Sequence, residues 1–321
     1  MDRRAVRSRV ESGRTTLVTG AAGYLGRAVV SALSDAGHRV VSVDRSFPEE
    51  AGTPFPGVET IAGDVRELPD LVPRSRPGGR VDHVVHAAAV TEAPDPGARP
   101  TVDYLADHLS GSMAALRAAA EHGATALLIS SAAVFDSRQR SDLDEAVPPL
   151  GTGPYATAKR AAELAWAEAA AAGLQAVTVR LGNLFGGDER SSVTRPRVSL
   201  FQDYLESARR HGVIEVRQPG AVRDWTYLPD VATRILALLA NPRTAPVTLH
   251  LVAPEAYSDL ELASAVAKAV PSTEVRVEAT GAPLPRGVLR SRYVNDMQSW
   301  TPLERAVSLT VAQDAPIGAP S

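Results

Sequence analysis

A serine, a tyrosine and a lysine in the middle of the chain have the types and the spacing of an acid–base catalyst. Ser131 lies in the segment SSAAVF, and 24 residues later the segment YATAK supplies Tyr155 and Lys159. If YATAK is helical, residues i and i+4 lie on one face, so the tyrosine and the lysine point the same way. A nearby ammonium group lowers the pKa of a phenol from about 10, and the phenolate can then take a hydroxyl proton near neutrality. The serine hydroxyl can hold the substrate oxygen in place.

The alternative for Tyr155 is an ordinary tyrosine on a helix surface, since it follows Gly153 and Pro154. Lysine is rare in this chain, in which Lys159 and Lys268 are the only two. Its chance occurrence at one given position is therefore below about 1% by composition. The pairing favours the catalytic interpretation, in which Ser131, Tyr155 and Lys159 form one set.

Residues 15–30, TTLVTGAAGYLGRAVV, predict a strand, a glycine-rich turn and a helix. The first five residues form a short, β-branched and mostly apolar run, as in a strand that is buried on both faces. Three glycines at GxxGxxG spacing follow, so that a pyrophosphate can approach the backbone at the amino end of the helix. This spacing is a wider variant of the dinucleotide-binding GxGxxG pattern. The cofactor-binding residues that we assign to it are Gly20, Gly23, Tyr24, Leu25 and Gly26.

An acidic residue follows the second predicted strand, RVVSV, at a distance that suits a ribose. Asp44 lies 18 residues beyond Gly26. A carboxylate there can accept hydrogen bonds from both ribose hydroxyls and repel a 2′-phosphate, so we predict NAD rather than NADP. Arg45, which we also assign to the cofactor site, keeps NADP open because an arginine there can hold a 2′-phosphate. The plain alternative for Asp44 is a loop-capping aspartate.

The ends of two further predicted strands add candidates for the same site. An aspartate after the third strand can meet the adenine amino group, and a simple turn-forming aspartate is an equal alternative. Three alanines after the fourth strand let backbone lie against a cofactor, or merely let a helix pack closely. The residues assigned to the cofactor here are Asp64, Val65, Ala87, Ala88, Ala89 and, through the nicotinamide ribose, Lys159.

Alternating strands and helices must position these residues. Strands are predicted at 15–19, 39–43, 58–62, 81–86, 125–130 and 175–180, and helices at 24–36, 99–121 and 154–172. This order predicts an α/β fold, a Rossmann-type doubly wound parallel sheet with a smaller C-terminal substrate-binding lobe. In the second half we expect helices at 197–211, 229–240 and 258–270 and strands at 213–217 and 246–252.

The domain assignment follows from that pattern. We expect a flexible tail at 1–14 and a dinucleotide-binding domain at 15–187, with returning segments at about 226–252. The substrate-binding lobe is assigned to 188–225 and 253–321, over the carboxyl edge of the sheet where ligands of such sheets bind.

Composition limits the class of partner. The chain has 321 residues, a net charge of −3 and no cysteine, which excludes disulfides and thiolate metal sites and gives no sign of a nucleic-acid or anionic-membrane partner. We predict no metal. The first residues lack an apolar signal core, and no apolar run approaches the length of a membrane span. A cytoplasmic enzyme is the expectation.

Seven segments occur in an order that resembles the extended short-chain dehydrogenase/reductase family, the NAD-dependent epimerase/dehydratase group. They are GAAGYLG, the acid Asp44, GDV, HAAA, SSAAVF, YATAK and RLGNLFG, and the likeness covers about residues 15–240. The resemblance implies a Rossmann-type domain, a Ser-Tyr-Lys catalytic set and often a nucleotide-sugar substrate. It also implies that Asn183 touches substrate phosphates and that Arg223, in VRDWTYLPDVA, binds a diphosphate. We place Thr91, Ser131 and Ala132 with these two in the substrate site.

Departures from the family pattern narrow the chemistry. Dehydratases of the family follow the catalytic residue with Asp-Glu, whereas Ala132 and Ala133 stand here, which argues against dehydration. His108 stands where the family usually has an asparagine, and a histidine can relay protons near its own pKa. Arg223 has a structural alternative, an ion pair with Asp224 or Asp230.

The leading expectation is hydride transfer between NAD and a sugar or nucleotide sugar, most simply by an epimerase that regenerates its cofactor. A net dehydrogenase or reductase of a sugar, sugar acid or keto-sugar needs the same three residues and is the alternative. A non-catalytic dinucleotide-binding protein is a remote third. The helices at 99–121 and 154–172 resemble those that pair in family dimers, so we expect a homodimer. The alanines that would allow close helix approach are Ala161, Ala162, Ala165 and Ala169.

Overall fold

The structure is a computed structural model that describes residues 13–47, 57–72, 79–91, 100–187, 189–190, 197–278, 287–293 and 300–313. Most of the predicted tail at 1–14 lies outside these residues. The chain divides into two units. The first comprises Met1–Val134, Pro149–Arg180 and Ala232–Leu249, and the second comprises Phe135–Pro148, Leu181–Val231 and His250–Ser321. That the second unit is a substrate-binding lobe stays a prediction.

The strands in the described residues are β1 (Thr15–Thr19), β2 (Arg39–Asp44), β3 (Val58–Ala62), β4 (His83–His86), β5 (Thr125–Ser131), β6 (Ala176–Leu181), β7 (Asn183–Phe185), β8 (Val213–Val216), β9 (Val222–Arg223), β10 (Trp225–Tyr227), β11 (Thr248–His250), β12 (Tyr257–Ser258) and β13 (Glu274–Val277). The helices are α1 (Tyr24–Asp35), α2 (Leu68–Leu71), α3 (Thr101–His122), α4 (Pro154–Ala171), α5 (Leu200–His211), α6 (Leu228–Ala240), α7 (Asp259–Ala269) and α8 (Leu303–Gln313).

Seven strands form the central sheet, in the order β11-β6-β5-β4-β1-β2-β3. The pairs β1–β2, β2–β3, β1–β4 and β4–β5 are parallel. The chain moves outward from β1 through β2 to β3, and then from β4 through β5 to β6 on the other side. This reversal between β1 and β4 is the switch point at which such sheets bind ligands. The predicted Rossmann-type parallel sheet is confirmed.

The core of the first unit follows the two periodicities of its elements. Alternate strand residues such as Leu17, Val84 and Leu128 lie in one buried cluster with Ala115 of α3 and Trp166 of α4. One face of each strand therefore contributes every second residue, as the pleat requires. Because these residues are apolar and nearly inaccessible, their burial stabilises the sheet that carries the site.

Helix ends in this unit follow the residues that permit them. The helix predicted at 99–121 begins at Thr101 and ends at His122, because Gly123 adopts the left-handed conformation with φ of 62°. Inside α3, Gly111 lies against Val65, and a β-carbon on this glycine would come within 2.7 Å of a valine methyl group. The helix therefore packs closely on the short 3₁₀ turn Val65–Glu67.

The second unit has its own apolar core and three two-stranded sheets. The strands β7 and β10 pair in parallel, as do β8 and β13, whereas β9 and β12 pair antiparallel. Phe185, Phe201 and Trp225 lie in the core of this unit with residues of α5, α7 and α8. At the start of α7, Ser258 and Glu261 form a capping box that satisfies the first backbone N–H groups.

Two buried histidines make the first unit sensitive to acid. Thr16 Oγ1 lies 2.9 Å from His38 Nδ1 and 3.3 Å from His83 Nδ1. Burial lowers the pKa of His83 to about 4, and the charges of His38 and Arg14 act in the same direction. Burial and the charge of Arg14 also lower the pKa of His38, whereas the Asp82 carboxylate opposes both shifts. Both rings are therefore neutral in the folded protein at neutral pH.

We expect the free energy of unfolding to fall as the pH drops from about 6.5 to about 4. In this range the unfolded chain binds protons that the folded protein does not, so the free energy of unfolding rises with pH. The loss due to His83 alone is on the order of 3 kcal/mol once the pH falls below its folded-state pKa. Urea unfolding followed at pH 7 and at pH 4.5 measures this loss. His83→Gln should flatten the pH dependence, whereas His211→Gln, on an exposed site, should not. An unchanged slope in His83→Gln would contradict the assignment.

Candidate active site

The predicted catalytic residues lie at the end of β5 and the start of α4. Ser131 is the last residue of β5, and a 3₁₀ turn, Ala132–Val134, follows it. Tyr155 is the second residue of α4, which begins at Pro154, and Lys159 lies one turn further along. The proline suits the first position of a helix because its ring fixes φ and no N–H is needed there. Local sequence therefore sets the position of the tyrosine and the lysine on one helix face.

Lys159 contacts both the strand and the tyrosine of the predicted catalytic set. Its side chain is buried, and Nζ donates to the carbonyl oxygen of Ile129 at 2.8 Å. The same Nζ lies 5.8 Å from the centroid of the Tyr155 ring. Burial lowers the pKa of Lys159 to about 8, and the Glu163 carboxylate opposes this shift. The lysine is thus held between the tyrosine and the strand that ends in Ser131.

Ser131 is half-buried, and its Oγ accepts a hydrogen bond from the Ala133 N–H at 3.2 Å. The hydroxyl proton remains the donor that a substrate oxygen would need. Ala132, assigned to the substrate site, is buried in the 3₁₀ turn. Thr91, the other such residue in this unit, is exposed at the end of a described segment.

Two histidines lie beside the tyrosine and the lysine. His108 Nε2 is 3.1 Å from the carbonyl oxygen of Val90, and its ring meets the Tyr155 ring nearly edge-on at 6.2 Å. His86 is buried, with Nδ1 2.8 Å from Thr19 Oγ1. Burial, followed by the charges of Lys159 and His108, lowers the pKa of His86 to about 3. The His86 side chain is therefore uncharged at neutral pH. His108 is the histidine that lies near the tyrosine.

A buried ion pair behind the lysine was not found from the sequence. Arg180 of β6 donates to both carboxylate oxygens of Glu163, at 2.9 and 2.7 Å, and Ser130 Oγ donates to the same carboxylate at 2.5 Å. These contacts tie α4 to β5 and β6 directly behind the catalytic residues. Glu163 follows Lys159 at i+4, which places it on the same helix face, but no spacing in the sequence links it to Arg180.

The glycine turn is shaped by close packing against neighbouring backbone. Gly20 has a φ of 69°, and a β-carbon there would come within 2.6 Å of the Ala88 nitrogen. A β-carbon on Gly26 would come within 2.0 Å of the Gly20 carbonyl oxygen. Gly23 is the N-cap of α1, and no side-chain hydrogen bond caps that end among the described residues. The backbone N–H groups at the start of α1 thus suit an anion.

Asp44 joins the end of β2 to this turn. Its carboxylate accepts hydrogen bonds from the Ala22 N–H at 2.9 Å and from the Arg45 N–H at 2.8 Å. Burial raises the pKa of Asp44, and these two hydrogen bonds act in the opposite direction. Asp44 therefore caps the loop, as the alternative interpretation predicted. That it also binds the ribose stays a prediction.

Asp64 is engaged in an ion-pair network that the sequence did not reveal. It caps the 3₁₀ turn by accepting from the Arg66 N–H, and Arg66 also donates to it through Nε at 2.9 Å and Nη2 at 2.8 Å. Arg66 Nη1 donates to Asp107 of α3 at 2.8 Å. The Arg66 guanidinium lowers the pKa of Asp64. The turn-forming alternative for Asp64 is therefore realised, and contact with adenine stays a prediction.

A cavity runs along the carboxyl ends of β1, β2, β3 and β4. Val43, Val90 and His108 line this cavity together with seven of the residues assigned to the cofactor. The seven are Gly20, Asp44, Arg45, Asp64, Val65, Ala88 and Ala89. Apolar valines for a base, a carboxylate for ribose hydroxyls and a glycine turn for phosphates are the groups that a dinucleotide needs. The residues present therefore fit NAD, which accepts and returns a hydride when it is bound. Gly23, Tyr24, Leu25, Gly26, Ala87 and Lys159 lie outside the lining that the described residues form.

The second unit contains the two other residues predicted to bind substrate. Both the side chain and the backbone N–H of Asn183 donate to the buried carboxylate of Asp224. Arg223 donates to both oxygens of Asp259, at 2.7 Å through Nε and 2.9 Å through Nη2. The ion-pair partner of Arg223 is therefore Asp259, and not the Asp224 or Asp230 that the sequence offered.

A parallel sheet with a glycine turn at its switch point and a tyrosine–lysine pair beside it defines a dinucleotide-binding enzyme of the short-chain dehydrogenase/reductase type. The family described as NAD dependent epimerase/dehydratase matches residues 16–253, and the chain belongs to that family. It is an NAD-dependent enzyme of the extended short-chain type, as predicted.

Three similar proteins illustrate the likeness. A UDP-glucose 4-epimerase of Streptomyces lividans is 28% identical over 84% of this chain and 82% of its own length. The structure of a UDP-N-acetylglucosamine 4-epimerase from Methanobrevibacter ruminantium M1, in complex with UDP-N-acetylmuramic acid, has a TM-score of 0.77 at 19% identity and covers 94% of this chain and 98% of that one. The structure of MoeE5 in complex with UDP-glucose and NAD has a TM-score of 0.70 at 23% identity over 93% and 97%. These structural likenesses show the shared fold.

Two further findings concern membrane spans and metal sites. Among the described residues, no helix is both long and apolar enough to cross a membrane. No group of metal-ligating side chains suited to a metal ion occurs in that part of the chain either.

The preference for NAD over NADP tests the predicted role of Asp44 in binding the ribose. We expect the protein to bind NAD at least tenfold more tightly than NADP, because the carboxylate repels a 2′-phosphate. Asp44→Asn should weaken this preference, whereas Asp103→Asn, on the exposed start of α3, should leave it unchanged. Fluorescence or calorimetric titration with both cofactors measures the two affinities. Tighter binding of NADP to the wild-type protein would show that Arg45 decides the preference.

Proposed function

We propose that the protein is an NAD-dependent epimerase of a nucleotide sugar, acting at a carbinol carbon. The observation that carries the proposal is the position of Lys159, buried, hydrogen-bonded to Ile129 and 5.8 Å from the Tyr155 ring. A cation held there favours the phenolate, so Tyr155 can remove the proton of the sugar hydroxyl. The similarity to UDP-glucose 4-epimerases supports a nucleotide sugar as the substrate class.

Each catalytic residue of the first unit has a separate role in the proposed reaction. Tyr155 takes the hydroxyl proton and later returns it to the keto oxygen. Ser131 donates a hydrogen bond to the same oxygen and fixes its position. Lys159 holds its charge beside the tyrosine, and Ala132 and Ala133 supply no acid or base that would remove water. The chain thus has the groups for reversible oxidation at one carbon and lacks, at these two positions, those for dehydration.

The test is turnover with catalytic amounts of NAD. Purified protein is incubated with UDP-glucose and, separately, with UDP-N-acetylglucosamine, and the 4-epimers are separated by chromatography. We expect many turnovers per NAD, since the cofactor is regenerated within each cycle. Stoichiometric accumulation of NADH would favour the net dehydrogenase, and absence of any product with either substrate or with other nucleotide sugars would count against the proposal.

We further propose that the enzyme is a homodimer through α3 and α4. Val102 and Met113 of α3 and Leu164 of α4 are 68%, 46% and 70% exposed, and apolar surface of this kind suits a protein–protein interface. Of the alanines expected to allow close approach, Ala162 is buried and Ala169 packs against the core, while Ala161 and Ala165 are half-buried. Val102, Met113 and Leu164, more than the alanines, therefore provide the exposed apolar surface of these helices.

Leu164→Glu should convert the protein from dimer to monomer at micromolar concentration, because a buried charge would face the apolar partner surface. Light scattering coupled to gel filtration measures the mass. Val277→Glu is the control, since Val277 is 54% exposed on β13, away from these helices in sequence and unit. A wild-type protein that is monomeric under these conditions would contradict the proposed homodimer.

A further inference from the structure

A second cleft, with a volume of about 1010 Å³, lies wholly within the second unit. Arg223 is one of its lining residues, and the guanidinium is already engaged from within the protein. Its Nε and Nη2 donate to the two oxygens of Asp259, and Nη2 lies 3.4 Å from the amide oxygen of Gln218. Because Asp259 is only 2% exposed, this carboxylate is a fixed partner and not a mobile surface group.

The two-point contact matters because it occupies the Nε–Nη2 edge, so a phosphate cannot form the paired contact with that edge. Arginine binds carboxylates and phosphates alike through paired N–H groups. In this protein Asp259 takes both hydrogen bonds of the Nε–Nη2 edge and cancels the positive charge. A phosphate at this position would have to displace a buried carboxylate, or accept repulsion from it.

The remaining charges of the cleft are also balanced. Among the described residues, three arginines and three carboxylates line it together with His211, namely Arg217, Arg223, Arg276, Asp203, Glu215 and Asp259. Arg276 is itself paired with Glu274 at 2.7 Å. A site for a diphosphate requires an excess of positive charge, and the lining residues do not provide it.

The lining also includes uncharged hydrogen-bonding groups. Tyr204, Ser207 and Gln218 face the cleft together with the Arg223–Asp259 pair. Burial, followed by the charge of Asp259, raises the pKa of Tyr204 to about 12, so its hydroxyl stays protonated. Groups that both donate and accept suit hydroxyls, which do the same.

We propose that Asp259 is a specificity-determining residue, which occupies the Arg223 fork so that the cleft binds an uncharged, hydroxyl-rich part of the substrate and excludes a phosphate. The chemical class of the bound group is a sugar or a ribose. The inference rests on the proposed function in that it assigns one part of a nucleotide-sugar substrate to this cleft. It replaces the expectation that Arg223 itself binds the diphosphate.

The test is calorimetric titration of the NAD-loaded protein with UDP at low salt. Asp259→Asn removes one charge and keeps an oxygen that can accept from Arg223, so the fold should survive, as a melting curve will show. We expect UDP to bind about tenfold more tightly to this variant, because Arg223 becomes an uncompensated cation. Asp259→Glu, which keeps the charge, should bind UDP as the wild type does.

Two controls assign the effect to the pair. Glu274→Gln removes a carboxylate from another arginine of the cleft and should change UDP affinity by less than about twofold, since that pair is exposed. Arg223→Gln/Asp259→Asn, which replaces the ion pair with two amides, should bind UDP within about twofold of wild type. This double variant also decides the question if Asp259→Asn does not fold.

The outcomes separate this inference from the proposed function. Unchanged or weaker UDP binding by folded Asp259→Asn, or an equal gain in Glu274→Gln, would overturn the role of Asp259. A tenfold loss in the double variant would overturn it as well, because Arg223 would then have bound UDP in the wild type. Epimerisation of UDP-glucose by the wild type is measured independently, so either conclusion can fail while the other stands.

Discussion

Tyr155→Phe lowers the turnover number by about 10²- to 10⁴-fold, the usual loss when a positioned acid–base group is removed. Phenylalanine keeps the ring that lies beside Lys159 and His108 and removes only the hydroxyl. Affinity for NAD and the melting temperature should therefore stay at the wild-type values. Steady-state turnover of the nucleotide sugar, with NAD binding measured in parallel, gives both quantities.

Tyr293→Phe is the matched control, because Tyr293 is 50% exposed and belongs to the second unit. It should retain full activity. If Tyr155→Phe kept near-wild-type turnover on a substrate that the enzyme epimerises, Tyr155 would not be the acid–base group, and the proposed mechanism would be withdrawn.

The pH dependence of turnover separates the contributions of the neighbouring groups. Lys159→Met should both weaken NAD binding and move the activity to higher pH, because the cation that favours the phenolate is lost. His108 lies edge-on to the Tyr155 ring. If it relays protons, the profile carries a limb near neutral pH that disappears in His108→Asn. A limb that persists in this variant would assign it to another group.

The second large effect concerns stability. Arg180→Met should lower the free energy of unfolding by about 3–5 kcal/mol, since it leaves the Glu163 carboxylate buried without its cation. Both side chains are nearly inaccessible, at 6% and 9% exposure, and they are joined by two hydrogen bonds. Urea unfolding at pH 7 measures the loss, and residual activity should fall with it because the pair lies directly behind Lys159.

Two variants give this prediction its controls. Arg210→Met breaks an exposed pair with Glu206 on α5, and should cost less than about 1 kcal/mol. Glu163→Leu/Arg180→Met removes both charges and should be more stable than Arg180→Met alone, because the carboxylate that Arg180→Met leaves buried without its arginine is removed as well. A loss below about 1 kcal/mol in Arg180→Met, or a double variant as unstable as the sum of both single ones, would contradict the prediction.

Local sequence was sufficient for most of the fold and for the centre of the candidate site. The period of two in the strands and of about 3.6 in the helices predicted the central sheet and its helices to within a few residues. The spacing of Tyr155 and Lys159 placed both on the first turns of α4, as the structure shows. Gly26 is similarly local, since a β-carbon there would meet the Gly20 carbonyl oxygen six residues earlier, whereas Gly20 is required by its close approach to the distant Ala88 backbone.

Several functional contacts depended on residues that are distant in the chain. Glu163 meets Ser130 and Arg180 only because β5, β6 and α4 pack together. Arg66, which pairs with the nearby Asp64, also donates to Asp107 of α3, 41 residues further along the chain. No periodicity in the sequence reports such pairs.

The sequence by itself determined the class of fold, the cofactor turn and the tyrosine–lysine pair, because each depends on spacing within one or two consecutive elements. Tertiary structure alone decided the partner of Arg223. Asp259 lies 36 residues further on, and the antiparallel pairing of β9 with β12 brings it to the guanidinium. Whether the N–H groups of an arginine are available to a ligand depends on what folds against it, so its role in binding cannot be read from its motif.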